Sequence, residues 1–377
     1  MKVLVINWRC ARNPLAGGAE IYLQEIFRRL VERGHEVCQL AERYPGSAPE
    51  ETLDGIRVIR VGGARTFNFA VCRNLRRVVE EGGYDVVVDD LNKIPFYSPR
   101  LVRVPVLVIL MHLFRGSIFR EAFFPLAAYV WLAESAIPWA YRDCRFTVLS
   151  ESSKRDVVKL GIRPERVAVV PPGTDFERFS ADENVAREPV VLHVGRLKKY
   201  KSTDHLLRAA RLLRDRGREF RAVIVGTGDD RPRLEKLAAE LELGDTVEFT
   251  GFISEDEKVN WYRRSAVLVE NSVKEGWGLI VMEANGCGTP VVVARSPGLV
   301  DSSRDGVNGL FYEYGNIPDL AEKLDRVLTD DELRGRLGRQ AIGWARQWTW
   351  DAAADATEQA LEQCRETNSV LSPRQFL

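Results

Sequence analysis

Four segments carry residue types that could bind a charged, hydroxyl-rich molecule. The segment Glu275-Gly276-Trp277-Gly278-Leu279-Ile280-Val281-Met282-Glu283 sets two carboxylates eight residues apart with two glycines between them. On a regular helix that spacing spans about 12 Å, which suits the reach from a sugar ring to a ribose across a diphosphate. Carboxylates accept hydrogen bonds from sugar hydroxyls, and glycines near a helix start let the backbone approach an anion closely. The competing reading is a solvated helix face with ordinary glutamates.

The second segment, His193-Val194-Gly195-Arg196-Leu197-Lys198-Lys199-Tyr200-Lys201, ends an apolar run in glycine and then presents four cations. Arg196 and Lys201 are the candidates for a diphosphate, because Gly195 positions one and the turn into a following helix the other. Lys198 and Lys199 read as solvated. The third, Gly17-Gly18-Ala19-Glu20, opens a helix and is either a tight turn or a phosphate or sugar contact; it is not the GxGxxG of a dinucleotide site. The fourth is His112, after an apolar run, either a satisfied structural residue or a donor to a phosphate or sugar oxygen. Gly226-Thr227-Gly228, Thr250-Gly251-Phe252-Ile253 and Asp89-Asp90-Leu91-Asn92-Lys93 read first as turns or loops and second as ligand contacts.

These segments need a scaffold that delivers strand ends to one place. Strand-like runs are Lys2–Ile6, Glu36–Leu40, Val86–Val88, Val104–Leu110, Phe146–Leu149, Val167–Val170, Val190–Val194, Arg221–Val225, Val247–Phe249, Ala266–Val269 and Pro290–Ala294. Helical patterns lie between them, among others Glu20–Arg33, Asp204–Arg216, Arg231–Leu241 and Pro318–Leu328. Such alternation means parallel α/β sheets. Pro171-Pro172-Gly173-Thr174-Asp175 and the polar stretch after it mark a boundary. The expectation is two doubly wound, Rossmann-like domains, 1–178 and 179–345, facing across a cleft at their strand ends, with a last helix in 346–377.

Composition narrows the field. The chain has 377 residues, 54 Lys+Arg against 54 Asp+Glu, and 45% hydrophobic residues, which suits two well-cored domains. A net charge of zero argues against a nucleic-acid partner. Residues 1–180 carry +5 and residues 181–377 carry −5. Six scattered cysteines and four histidines form no disulfide framework and no metal motif, so a cytoplasmic location and no protein-built metal site are expected. The Ala122–Ala133 stretch, AFFPLAAYVWLA, falls short of the roughly 20 residues of a membrane span. It reads either as a packed core helix or as an interfacial patch touching a bilayer or a lipid-linked substrate.

Taken together, these residues resemble the large retaining glycosyltransferase family numbered four, which has the GT-B fold. The resemblance rests on Gly17-Gly18-Ala19-Glu20, Gly195-Arg196-Leu197 with Lys201, Glu275 to Glu283, Cys287-Gly288-Thr289-Pro290-Val291-Val292 and Asp305-Gly306-Val307-Asn308-Gly309-Leu310. It implies a nucleotide-diphosphate sugar donor held mainly by the C-terminal domain, no further cofactor, and a hydroxyl acceptor (a glycan, a lipid-linked or a small molecule) on the N-terminal one. By resemblance Arg196 and Lys201 bind the diphosphate, Glu275 contacts the transferring sugar and Glu283 the ribose. Backbone N–H groups of Gly276, Trp277, Gly278 and Leu279 meet sugar and phosphates. Gly17 and Gly18 approach the diphosphate, His112 faces the donor sugar near the reacting centre, and Phe252 and Ile253 lie against the base. The C-terminal helix crosses back onto the first domain.

Asn271-Ser272 replaces the family's common Pro-Ser, and Asp301 stands where Glu is frequent. The implied reaction is metal-independent transfer with retention, in glycan, polysaccharide or glycolipid synthesis, with peripheral contact at the inner face of the membrane. The rival readings are a sugar-nucleotide epimerase or phosphorylase, a nicotinamide-dependent oxidoreductase, and a non-catalytic nucleotide-sugar-binding protein.

Overall fold

The computed structural model describes residues 1–91, 94–121 and 123–370. Of the residues singled out above, Asn92, Lys93 and Ala122 lie outside the described residues. The chain forms two compact units, Met1–Gly173 with the segment from Trp350, and Thr174–Thr349. The first break falls at Gly173 rather than 178 because Thr174 N already donates to Trp348 O (3.1 Å) in the second unit. The second falls after Thr349 rather than 345, since Trp348 packs on Trp277 at 4.9 Å and on Trp344 at 6.2 Å.

The first unit is an eight-stranded sheet built from β1 (Lys2–Ile6), β2 (Glu36–Arg43), β3 (Glu50–Leu53), β4 (Ile56–Gly63), β5 (Val86–Asp90), β6 (Val106–Leu110), β7 (Arg145–Val148) and β8 (Val167–Val169). Its order is β3-β4-β2-β1-β5-β6-β7-β8, and every pair is parallel except β3 with β4. The central strands are buried on both faces, which explains their continuous Val/Leu/Ile runs. One layer packs Phe67, Val71, Phe96 and Tyr141 against Leu4, Ile6 and Phe146 of the sheet. On the same unit the helix Trp350–Val370 lies along the helix Gly18–Glu32, tied by Arg29–Asp351 (2.8 Å), Arg33–Glu358 (2.7 Å) and Tyr22 edge-on to Trp350 (6.1 Å).

Three expectations change. The hairpin of β3 and β4 is absent from the sequence reading, because its arginines mask its alternation. Arg60 is nevertheless fully buried, paired with Glu51 and donating to Ala48 O (2.8 Å). Asp89 and Asp90 are not loop residues: they end β5 and are fully buried. The helix Phe124–Ser135 is not a packed core helix, since it buries only Ala127, Val130, Ala133 and Glu134. No helix among the described residues is long and apolar enough to cross a membrane.

The second unit is an all-parallel sheet of β9 (Glu188–Val194), β10 (Arg221–Val225), β11 (Val247–Gly251), β12 (Ser265–Glu270), β13 (Val291–Ala294) and β14 (Gly309–Tyr312), in the order β11-β10-β9-β12-β13-β14. The chain runs outward from β9 to β11 and then returns to β12 on the other side of β9. The carboxyl ends of β9 and β12 therefore sit side by side where the strand order reverses, the position at which open α/β sheets bind ligands.

Candidate active site

That reversal brings two of the four chemical segments together. After Val194 the chain passes through Gly195, whose φ of 152° lies in the region that favours glycine. Gly195 N donates to Val225 O (3.0 Å) and Leu197 N to Thr227 O (2.9 Å), so the Arg196 loop is laced to the loop after β10. The lacing needs glycine opposite: a Cβ on Gly226 would stand 1.9 Å from Gly195 O, and one on Gly228 2.0 Å from Leu197 O. Lys198 pairs with exposed Asp229 (2.8 Å). A single 3₁₀ turn, Lys199–Lys201, then feeds the helix Thr203–Asp215.

Lys201 turns inward. Its ammonium lies 2.7 Å from Glu275 Oε1 and 3.6 Å from Glu270 Oε2. Burial would lower its pKa, but the two carboxylates outweigh that and raise it, so the lysine is charged. Beneath it His193 is fully buried between Val269 O (3.3 Å from Nδ1) and Thr203 Oγ1 (3.2 Å from Nε2). A carbonyl only accepts, so Nδ1 carries the proton. Burial and the Lys201 charge push the imidazole down to about 4, leaving it neutral.

Glu275 is held by its backbone. Glu275 N donates to Pro297 O (2.9 Å), Val273 N to Tyr200 O (2.9 Å), and Ser296 Oγ to Ser272 O (2.7 Å). A Cβ on Gly298 would meet Glu275 O at 2.2 Å. The segment Glu275–Glu283 is not one continuous helix. Glu275 to Gly278 are loop, Gly278 has φ 109°, and the helix runs Leu279–Gly286. Gly276, Trp277, Gly278 and Leu279 thus lead into a helix N-terminus at the sheet's ligand edge, with the Trp277 ring buried against Trp348. Asp301 Oδ2 accepts from Gly298 N (3.2 Å) in the neighbouring turn.

Glu283 is fixed one turn into this helix, where it accepts from Tyr262 OH (2.7 Å) and pairs with Lys258 (3.1 Å), which also reaches Glu255 (2.9 Å). Phe252, after β11, is 87% exposed and Ile253 half-buried. A cavity lined by Asp175, Arg178, Asp256, Val259 and Arg263 also lies in this unit, but none of the expected donor residues lines it.

In the first unit Gly17 N donates to Glu20 Oε2 (2.7 Å), closing the turn that starts the helix Gly18–Glu32. His112 follows β6, half-buried, its ring 4.6 Å from that of Phe114. Glu134 positions this loop: fully buried, it accepts from Phe114 N and Arg115 N, both at 2.7 Å. Sequence reasoning passed over Glu134, Glu270, Lys258 and Tyr262. For Glu134 the available signal was a lone acid inside an apolar helix, since a buried carboxylate needs partners. No group of His, Cys, Asp and Glu among the described residues is arranged to hold a metal ion.

Comparisons with known proteins bear on both units. The family model of Glycosyl transferases group 1 matches residues 175–344, and that of the Glycosyl transferase 4-like domain matches 17–173. A D-inositol 3-phosphate glycosyltransferase of Streptomyces bingchenggensis is 32% identical over 91% of this chain and 84% of its own length. Its counterpart in Kribbella flavida is 29% identical over 93% and 92%. Among solved structures, sucrose-phosphate synthase of Thermosynechococcus elongatus superposes with a TM-score of 0.81 at 21% identity, covering 96% of this chain and 98% of that one. HepE of Anabaena, solved with UDP and glucose, gives 0.77 at 19% over 96% and 100%. These structural likenesses carry the GT-B fold, while the two family models and the full-length relative carry the family. The chain belongs to the family-4-type glycosyltransferases, which transfer a sugar from a nucleotide sugar.

Proposed function

We propose that this chain catalyses transfer with retention of anomeric configuration, without a metal ion, from a nucleotide-diphosphate sugar to a hydroxyl acceptor. The observation that carries the reading is the Lys201–Glu275 pair at the joined ends of β9 and β12, beside the Arg196 loop. Lys201 and Glu275 neutralise each other across 2.7 Å. A diphosphate competes for Lys201 and releases Glu275 to the hydroxyls of the transferring sugar.

Breaking the sugar–phosphate bond develops positive charge on the sugar and negative charge on the departing phosphate. Arg196, Lys201 and the N–H groups of Gly276–Leu279 stabilise that negative charge from fixed positions, where little reorganisation is needed. Glu283 contacts the ribose, and Phe252 and Ile253 lie against the base. Gly17 and Gly18 are assigned to the same diphosphate, and His112 to the donor sugar. Departure and attack take place on one face, the leaving phosphate taking the acceptor proton. HepE binds UDP and glucose, which makes UDP-glucose the first donor to try. The curated relatives are D-inositol 3-phosphate glycosyltransferases, and a first unit with basic excess suits an anionic acceptor, free or membrane-linked. Peripheral contact of the exposed aromatic helix Phe124–Ser135 with a bilayer belongs to the same reading.

A thermal-shift screen against UDP-, GDP- and ADP-sugars identifies the donor, because a ligand bound only by the folded state raises its Tm. With that donor, Glu275→Gln and Lys201→Ala should each abolish transfer. Near-wild-type transfer in both variants would overturn the site assignment.

A further inference from the structure

Glu270 ends β12, five residues before Glu275 and outside every motif that carried the sequence reading. Its side chain is fully buried. Oε1 accepts from the backbone N–H and hydroxyl of Ser272 at 3.2 and 2.5 Å. Oε2 accepts no hydrogen bond and lies 3.6 Å from the ammonium that Glu275 already holds at 2.7 Å. One cation thus faces two carboxylates, one of them inaccessible to water. With both ionised the trio is net negative, and a diphosphate entering beside it adds charge of the same sign.

We infer that Glu270 is a positioning residue: ionised, it helps hold Lys201 beside Glu275, and it takes up a proton from solvent when a nucleotide-diphosphate sugar binds, leaving Lys201 to the phosphates. The inference rests on the reading of Lys201 as a diphosphate ligand. The proton ends on the Glu270 carboxylate and no other bond changes. Burial already raises this carboxyl above the usual range, against the pull of Lys201. Further titratable groups around the trio are His193 on β9, Tyr200, whose ring lies 5.8 Å from the Lys201 ammonium, and Tyr312 on β14. His193 is neutral, as its hydrogen bonds and burial require. Tyr312 donates to Asn271 Oδ1 at 2.9 Å, lies 3.2 Å from His205 Nδ1, and is pushed up by burial.

Calorimetric titration of the full chain with UDP-glucose tests this, or with GDP- or ADP-glucose if one of those is the donor that raises Tm. It is run near neutral pH in two buffers of different ionisation heat, PIPES and Tris. A nucleotide sugar has no group of its own that titrates there. The wild-type chain should take up close to one proton per donor bound, with affinity rising by up to about tenfold per pH unit as pH falls. Glu270→Gln keeps both Ser272 contacts at Oε1 and should bind with no proton uptake and a flat pH profile. No uptake by the wild type, or equal uptake by Glu270→Gln, overturns the inference; the wild-type arm stands even if the variant fails to fold. If no nucleotide sugar binds at all, the donor reading itself falls and takes this inference with it.

Discussion

At the scale of single residues, buried acids mark the places where the chain accepts an electrostatic cost. Asp89 is fully buried at the end of β5 and accepts on Oδ2 from Ser98 Oγ (2.5 Å) and Tyr141 OH (2.8 Å). Burial lifts its carboxyl to about 6, against those two bonds. A raised folded-state pKa means the folded protein binds the extra proton. The stabilisation it confers is full below the ordinary Asp range and is lost as pH rises toward 6. Asp89→Asn can accept both bonds on its carbonyl oxygen but cannot ionise. Relative to wild type, the variant should therefore gain roughly 3 kcal/mol of stability between pH 4 and pH 7. Urea midpoints at the two pH values measure this, and a constant difference between the two proteins would refute it. Asp89 also shows what the sequence hides at this scale. Next to Asp90 it reads as a polar loop, and only the packing of Tyr141 and Ser98 turns it into a core residue. Glu270 is hidden in the same way, as the acid at the end of an apolar strand. Glu275 and Lys201 were legible because glycines and neighbouring charges flank them in sequence.

Elements position these residues by backbone proximity, and glycine sets how close they come. The Arg196 loop and the loop after β10 touch main chain to main chain at Gly226, which has φ 129° and no room for a Cβ beside Gly195 O. Gly306, with φ 74°, has open space around its Cβ position. Gly306→Ala then meets only the conformational penalty, about 1 kcal/mol. Gly226→Ala adds a backbone collision and should cost several times more, on the order of 3 kcal/mol. It should also displace Arg196 and weaken donor binding, which Gly306→Ala should not. Equal melting temperatures and equal donor affinity for the two variants would contradict this account. The glycines were visible in the sequence as turns, but which of them carries a close approach was not, because the partner lies on another strand. The same limit explains the strands that escaped notice. β3 and β4 form an edge hairpin rich in charge, whereas the doubly buried central strands announce themselves by unbroken apolar runs. It also explains why the eight-residue spacing of Glu275 and Glu283 suggested one helix: the loop half of that segment is held by Pro297 and Gly298, which lie more than twenty residues downstream.

For the molecule as a whole, charge is better read by unit than by half. The acidic helix Trp350–Val370 packs in the first unit, where Asp351 pairs with Arg29, and Asp355 and Glu358 pair with Arg33. What remains basic is local. Residues 100–145 contain six arginines against Glu121, Glu134 and Asp143, and Glu134 is buried. The same stretch exposes Phe123 (70%), Phe124 (74%), Leu132 (60%) and Trp139 (64%). Arginines border the rings: Arg100 lies 4.4 Å from the Trp139 ring and Arg115 5.3 Å from that of Trp131. An apolar centre with a cationic, aromatic rim matches the boundary between acyl chains and anionic headgroups. Each arginine near such a surface contributes about 1 kcal/mol, and burying a phenylalanine or leucine about 1.5–3 kcal/mol. The wild-type chain should therefore co-sediment with phosphatidylglycerol-containing vesicles at low salt, less at high salt, and less with phosphatidylcholine alone. Replacing Phe123, Phe124 and Leu132 together by Ser should lower vesicle binding by at least about a hundredfold, while Tm changes little because these side chains are mostly exposed and the Phe124 ring meets only the exposed ring of Phe119 (5.8 Å) among the aromatic contacts of the described residues. A wild-type chain that ignores anionic vesicles but forms a dimer abolished by the same substitutions would show that a second copy covers the face, and would overturn the bilayer reading. The distinction matters for the acceptor. A chain held at an anionic surface meets lipid-linked hydroxyls at high local concentration, whereas a chain that pairs with itself must find its acceptor free in solution.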